Sequence, residues 1–193
     1  MKTLLSNILR AGVAVLGLSL APGLAMADSY TIDPTHTYPN FKISHLGFST
    51  MHGRFGKTSG SIRMDRNKGT GEVKVVIDAA SIDTGMRKRD DHLRSPDFFN
   101  VMEFPEITFT STSVTYRGEG ATVTGDLTIK GVTRSVTLEV PRINCGTHPF
   151  NKKQVCGFDA TTRFKRSDFG MTYGLPGIGD EVSLEIEVEA FKD

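Results

Sequence analysis

Six side chains able to bind an anion or a carbonyl group lie in two segments that break the alternating pattern of the rest of the chain. Residues 81–109 and 166–171 supply cationic and imidazole donors at Arg87, Lys88, Arg89, His92, Arg94 and Arg166. Such donors can bind a diphosphate or hydrogen-bond to a carbonyl oxygen. We take Arg89, His92, Arg94 and Arg166 as the candidates for this role. Aspartates accompany them in both segments, so ion pairs that attach these segments to the fold are the alternative.

Catalytic and metal-binding patterns are weak in this sequence. A serine triad can be assembled on paper from Ser95 or Ser167, His92 and a nearby aspartate, but no G-x-S-x-G motif supports it. No phosphate-binding glycine loop or dinucleotide fingerprint occurs either. His45 and His52 stand seven apart in a strand-like stretch and are predicted on opposite faces, whereas a metal site needs convergent ligands. We predict no catalytic residue, no metal site and no required cofactor.

The first of these segments, Ser81 to Phe109, is the only stretch with a helical pattern. Three positions share one face of the predicted helix: Met86, Asp90 and Leu93. Two pairs of opposite charge stand four residues apart, Arg87 with Asp91 and Asp90 with Arg94. Each pair contributes a few tenths of a kcal/mol.

Aromatic residues follow this predicted helix. Ser95 and Pro96 predict a second helical start, with the serine as N-cap and the proline at the first helical position. Phe98, Phe99 and Phe104 come next, where strand pairing does not claim them. The segment is a candidate lid over an opening, and a plug that caps a filled core is the alternative.

The remainder of the chain alternates with period two, which predicts β-strands. In the C-terminal EVSLEIEVEAF, the residues on one face are Val182, Leu184, Ile186, Val188 and Ala190. We count eight to ten strands, and the turn residues Asn67-Lys68-Gly69 and Lys130-Gly131 predict antiparallel hairpins. A sheet of this size must protect its edges, so we predict an all-β antiparallel barrel of about eight strands. Sequence alternation leaves open whether its interior is filled or holds a ligand.

The N-terminal sequence resembles an export signal. Lys2 and Arg10 precede an uncharged apolar run, and Ala25-Met26-Ala27 supplies a small-x-small cleavage pattern. About fourteen apolar residues fall short of the roughly 20 that a membrane anchor needs. We therefore predict a signal peptide at residues 1–27, cleaved after Ala27, and a single exported domain at residues 28–193.

Charge and cysteine content suit an exported binding domain. The chain has 23 Lys plus Arg against 22 Asp plus Glu, which argues against nucleic acid or an anionic membrane as its main partner. Cys145 and Cys156 bracket a polar loop and are predicted to form a disulfide. A structural zinc site would need more ligands, and a redox pair would be spaced C-x-x-C.

Longer motifs resemble those of the YceI-like family across residues 28–193. They include FKISHLGFS at 41–49, DHLRSPDFF at 91–99, GDLTIKGVT at 125–133 and RSDFGM at 166–171. The resemblance implies an extended, lipocalin-like β-barrel with a helical insertion, found in the periplasm and associated with stress responses. It further implies an apolar tunnel that binds an isoprenoid quinone, a prenyl diphosphate or another long-chain lipid.

The inward faces of the predicted strands supply the residues expected to line such a tunnel. They are Phe41, Ile43, Phe48, Phe55, Val75, Ile77, Phe109, Leu127, Ile129, Phe158, Phe164, Leu184, Ile186 and Val188, with Phe98, Phe99 and Phe104 at the mouth. For any one of them, ordinary core packing is the alternative. We expect a non-catalytic lipid carrier; an enzyme acting on a lipid-like substrate and a stress-protective protein with a filled core are the alternatives. Exposed barrel edges are compatible with a homodimer.

Overall fold

A computed structural model describes residues 27–193, whose regular structure consists mainly of antiparallel strands. The predicted signal peptide lies outside the described residues apart from Ala27. The strands are β1 (Asp28–Ile32), β2 (Tyr38–His45), β3 (Ser49–Phe55), β4 (Thr58–Asp65), β5 (Thr70–Asp78), β6 (Ile82–Asp83), β7 (Glu106–Arg117), β8 (Gly120–Ile129), β9 (Val132–Val140), β10 (Ile143–Thr147), β11 (Gln154–Lys165) and β12 (Ile178–Lys192). The helix α1 spans Arg87–Arg94, and two 3₁₀ turns span Ala79–Ser81 and Arg166–Phe169.

Eight of these strands close a barrel in the order β11-β9-β8-β7-β5-β4-β1-β12, with β12 pairing back to β11. This confirms the predicted all-β barrel with a short helical insertion. The described residues form twelve strands in total, more than the eight to ten expected. The difference comes from short strands such as β6, which has two residues and therefore shows no readable alternation.

The two ends of the barrel differ because β12 exchanges partners along its length. Ala190 to Lys192 pair with β1, whereas the segment from Ile178 to Glu187 pairs with β2. At the β1 end the strands close the barrel. At the β2 end the sheet continues into β3 and β6, and α1 contacts β6 there.

Both predicted hairpin turns are present. Lys130 and Gly131 connect β8 to β9 with φ of 51° and 72°. A two-residue turn with both φ values positive matches the twist of the flanking strands. The second predicted turn connects β4 to β5, with Gly69 at φ 68°.

The interior has two apolar clusters. One fills the β1 end with Tyr30, Ile32, Ile62, Cys156, Val188 and Ala190. The other occupies the rest of the barrel and includes Phe55, Ile107, Phe109 and Leu127. Among residues 27–193, no helix has the length and apolar character needed to cross a bilayer.

Cys145 and Cys156 form the predicted disulfide, which joins two directly paired residues of β10 and β11. Cys156 is also paired with Ala190, so the crosslink lies at the β1 end. We expect the double substitution Cys145→Ser, Cys156→Ser to lower the free energy of unfolding by about 2–4 kcal/mol. Urea unfolding with and without reductant measures this change. Amide protection of α1 at the β2 end should be unchanged, and its loss in a folded double variant would contradict this separation.

Candidate functional site

A cavity of about 570 Å³ opens at the β2 end of the barrel. It lies between β2, β3, β12, α1 and the turn after α1, and its wall is predominantly apolar. This volume is within the range of ordinary ligand sites, and apolar walls with a few polar groups are typical of them. The alternative of an interior filled completely by side chains of the protein therefore does not hold at this end of the barrel.

Ten of the residues predicted from strand alternation and the aromatic cluster border this cavity. They are Phe41, Ile43, Phe55, Ile77, Phe98, Phe99, Leu127, Ile129, Phe164 and Leu184. They come from strands that are far apart in the chain but adjacent around the β2 end. The fold therefore brings most of the predicted lining together.

Other predicted lining residues do not border the cavity. Val75, Phe109, Phe158, Ile186 and Val188 pack in the two core clusters. Alternation identifies the inward face of a strand but not the depth at which the interior is filled, so these five face the interior without bordering this cavity. Phe104 also lies outside the cavity lining, and its ring covers Gly131, where an added Cβ would be 2.7 Å from the ring.

Phe48 is exposed, with 91% of its surface accessible, so its predicted place in the lumen is wrong. The alternation stops because residues 46–48 form the turn between β2 and β3, with Leu46 and Gly47 at φ 54° and 72°. The same turn places His45 and His52 on two paired strands rather than on one. His52 is paired with Lys42, so the register keeps the two histidines on opposite faces of the hairpin as predicted, although both border the cavity.

The helix α1 is held to the barrel by a buried carboxylate. Asp90 accepts hydrogen bonds from the Thr84 backbone N–H at 2.9 Å and from its Oγ1 at 2.5 Å. The predicted pair of Asp90 with Arg94 is therefore wrong. Arg94 instead binds Asp91 at 3.1 Å, and the predicted pair of Arg87 with Asp91 is present at 3.9 Å.

No second helix starts at Ser95. This residue is the C-cap of α1, and its carbonyl accepts from the N–H groups of Phe98 at 3.0 Å and Asn100 at 2.9 Å. The N–H of Phe99 donates to Leu93, so the last carbonyls of α1 fix the following turn. The chain folds back on α1 and cannot continue as a separate helix.

This turn places two aromatic rings against the cavity. Phe98 is buried and packs edge-on against His92 at 5.1 Å and against Tyr173 at 5.4 Å between ring centroids. Phe99 packs edge-on against Phe55 at 5.5 Å. The two rings thus connect the turn to the interior of the barrel.

Arg166 is buried, and its guanidinium forms hydrogen bonds within the protein. It donates to the carbonyls of Gly179 at 2.8 Å, Met171 at 2.7 Å and Ile178 at 3.0 Å. Burial lowers the pKa of Arg166, while the nearby Asp180 raises it. The guanidinium stays charged, since arginine does not lose its proton in proteins. Arg166 borders the cavity, but its observed contacts hold loops together.

The other predicted polar residues differ in their access to the cavity. Arg89 and His92 border it, together with Lys88, whereas Arg94 does not and donates to the carbonyls of Ala80 and Ile82. Arg89 donates to Thr84 Oγ1 at 2.7 Å. His92 is held by Asp97 at 2.8 Å.

The triad drawn from the sequence is not assembled in the described residues. His92 Nε2 contacts Asp97, and Ser95 Oγ is buried without a hydrogen-bond partner in the described part of the chain. Ser167 Oγ donates to Asp180. A group able to hold a metal, Asp33, His36 and Glu189, lies outside the cavity lining with its ligand atoms within 4.8 Å of one another.

Several lining residues were missed by sequence reasoning: Pro39, Met51, Ile107, Met171 and Ile178. Met51 could have been found by treating 41–55 as a hairpin, since it pairs with Ile43. Met171 borders an irregular loop and Ile178 begins β12 after it, so neither shows a usable periodicity.

Asp180 attaches the 3₁₀ turn beside the cavity to β12. Its carboxylate accepts from the Ser167 N–H at 2.9 Å and from Oγ at 2.8 Å. Burial alone would raise the pKa of Asp180, but these hydrogen bonds and the charges of Lys165 and Arg166 hold the pKa below its ordinary value of 3.8.

A pH dependence follows from this depressed pKa. The carboxylate stabilises the folded protein above pH 3.8, and the contribution is lost as the pH falls through the lower folded value. We expect Asp180→Asn to be less stable than the wild type at neutral pH, with a difference that shrinks below about pH 4. Urea unfolding at a series of pH values measures this. A difference that is constant with pH would show that ionisation of Asp180 does not contribute.

Comparison with known proteins identifies the family. A family model described as the YceI-like domain matches residues 30–190. The chain belongs to the YceI-like family. It is similar to Protein YceI of Escherichia coli O17:K52:H18 and of Salmonella arizonae, each 41% identical over 181 residues that cover 92% of this chain and 94% of the relative.

Several solved structures share the fold. BcnA of Burkholderia cenocepacia matches with a TM-score of 0.73 and 27% identity, covering 82% of this chain and 98% of that one. The YceI protein of Campylobacter jejuni matches with a TM-score of 0.65 and 31% identity, covering 78% and 90%. A polyisoprenoid binding domain from Saccharophagus degradans matches with a TM-score of 0.63 at 20% identity, which shows the fold alone.

Proposed function

We propose that this YceI-like protein is a non-catalytic carrier of a polyisoprenoid or similar long-chain lipid. The observation that supports it is the apolar cavity of about 570 Å³ at the β2 end, bordered by cationic residues. Burial of each methylene contributes about 0.8 kcal/mol. A prenyl chain therefore offsets the cost of association, about 4–15 kcal/mol, by partial burial alone.

The head group binds at the rim in this proposal. Lys88 borders the cavity beside α1 and suits a diphosphate or a quinone carbonyl. Arg89 also borders it, but two of its nitrogens already donate to Thr84. Arg166 is less suited because three backbone carbonyls already accept from its guanidinium. His92 offers one further donor, although Asp97 holds its Nε2.

A place in the periplasm belongs to the same proposal. The disulfide between Cys145 and Cys156 is of the kind that persists in oxidising compartments, and the N-terminal sequence has an export pattern. A solvent-filled compartment between two membranes requires a carrier for long apolar chains. A role in stress responses is also proposed, on the family resemblance.

A titration with ligands of graded length tests the carrier. Delipidated protein is offered prenyl diphosphates of increasing chain length, and binding is followed by calorimetry. We expect affinity to rise about fourfold per added methylene until the cavity is full. Affinity that is independent of chain length would contradict the proposal.

The same samples test the enzymatic alternative. A carrier returns the prenyl diphosphate unchanged after long incubation, whereas an enzyme converts it to a product. His92→Ala is the matched variant, since it removes the imidazole that borders the cavity. Turnover that His92→Ala abolishes without loss of binding would replace the carrier with an enzyme.

A further inference from the structure

Several large apolar side chains that the fold leaves exposed belong to segments beside the cavity. The described residues expose six of them strongly, and four belong to segments at the mouth of the cavity: Leu46 at 54%, Phe48 at 91%, Met86 at 51% and Tyr173 at 48%. We call these four the apolar rim. Such a group of exposed apolar side chains marks an interaction site when the residues are contiguous.

Backbone and ring contacts connect each rim residue to the cavity. The N–H of Leu46 donates to Gly177 at 2.7 Å, which joins the β2–β3 turn to the loop before β12. The N–H of Phe48 donates to the carbonyl of His45, a cavity residue. Tyr173 packs at 4.9 Å from the ring of His92, and Met86 borders the cavity itself. Each rim residue is therefore one contact away from the cavity or borders it.

Positive charge lies beside this rim. Lys88 is exposed, borders the cavity and forms no ion pair with any residue from 27 to 193. Arg87 is 95% exposed and contacts Asp91 only at 3.9 Å. Exposed apolar side chains next to lysine and arginine are the composition of surfaces that lie in the interfacial layer of a bilayer.

We infer that the apolar rim docks on a phospholipid bilayer, with Lys88 against lipid phosphate and the cavity open towards the acyl chains. This rests on the proposed function. A prenyl chain that moved through water would lose about fourfold in stability for each exposed methylene, and docking removes that barrier. Because the protein has almost no net charge, its attachment to the bilayer depends mainly on insertion of apolar side chains and is reversible.

The test is flotation of the full exported chain with phosphatidylcholine vesicles that contain a minor fraction of phosphatidylglycerol. Phe48→Asp should weaken vesicle binding about tenfold, because one large side chain no longer inserts and a charge takes its place. Lys88→Gln should have a smaller effect that disappears at high salt. Phe150→Asp is the matched control: Phe150 is 88% exposed, but it packs with His148, which contacts Phe191 at the β1 end.

Solution binding of a short, water-soluble prenyl diphosphate separates this inference from the carrier itself. Phe48→Asp should bind that analogue as the wild type does, while it takes up long-chain lipid from vesicles more slowly.

Equal vesicle binding by Phe48→Asp and Phe150→Asp would overturn the docking surface and leave the carrier standing. A change from dimer to monomer in Phe48→Asp, with vesicle binding intact, would also overturn it by making the rim an interface between copies. Vesicle binding through the rim without any prenyl binding would retain the docking surface and reject the carrier.

Discussion

Ile43→Trp is expected to weaken long-chain lipid binding strongly while the barrel stays folded. Ile43 borders the cavity from β2, where it is paired with Met51 and Val182. An indole at this position fills space that several methylenes of the ligand would occupy. Displacing about three of them weakens binding about sixtyfold, at about fourfold for each methylene.

The unfolding free energy of Ile43→Trp should change by less than about 1.5 kcal/mol, since the larger side chain enters open space rather than a packed core. Binding is measured by titration with a long-chain prenyl diphosphate, and stability by urea unfolding. Thr50→Trp is the control, because Thr50 is an exposed residue on the neighbouring strand β3. Full binding by Ile43→Trp would place the ligand elsewhere.

Arg166→Met should destabilise the protein by about 3–5 kcal/mol, the largest stability effect that we expect from a single substitution. The change leaves the carbonyls of Met171, Ile178 and Gly179 without their buried donor. It also removes the cation that lies 6.0 Å from the centre of the Phe98 ring. The loop that supplies Met171 and Ile178 to the cavity should loosen as a result.

Circular dichroism during urea unfolding measures this effect, since the chain contains no tryptophan. Arg166→Lys should recover little stability, because an ammonium does not reproduce the planar fork that reaches several acceptors. Arg163→Met is the matched control on the same strand region. The Arg163 side chain is 72% exposed and contacts Glu181 at 3.5 Å, so its loss should cost less than about 1 kcal/mol. Equal effects at the two positions would contradict the role assigned to Arg166.

The barrel could be predicted because the alternation of apolar and polar residues shows which face of each strand is inward. In β12 the alternation from Val182 to Ala190 correctly separates buried or half-buried apolar residues from exposed Glu185 and Glu187. Turn residues such as Lys130 and Gly131 then fixed which strands pair. These are local properties, and neighbouring residues are enough to read them.

The position of the cavity could not be read in the same way. Val188 and Leu184 both face inward on β12, yet Val188 packs in the β1-end cluster and Leu184 borders the cavity. The difference arises because β12 changes partners from β2 to β1 along its length. The exchange of pairing partners depends on the whole sheet, so alternation within one strand does not predict it.

Of the two charge pairs predicted on α1, one is present and one is not, because helical spacing does not take account of partners outside the helix. Arg87 and Asp91 pair as their spacing on α1 predicts, because both are exposed and only the helix positions them. Asp90 is drawn instead to the backbone of Thr84, a partner outside the helix. Burial makes such tertiary hydrogen bonds stronger than a surface pair at the same helical spacing.

Native mass spectrometry of gently purified protein, with organic extraction of the same sample, tests the central claim most directly. The account predicts a near-stoichiometric complex with a long-chain isoprenoid, whose extracted mass identifies the head group. Ile43→Trp prepared in parallel should carry less of this lipid. A wild-type protein that is empty, and stays empty when offered isoprenoid quinones and prenyl diphosphates, would contradict the carrier and leave only the fold established.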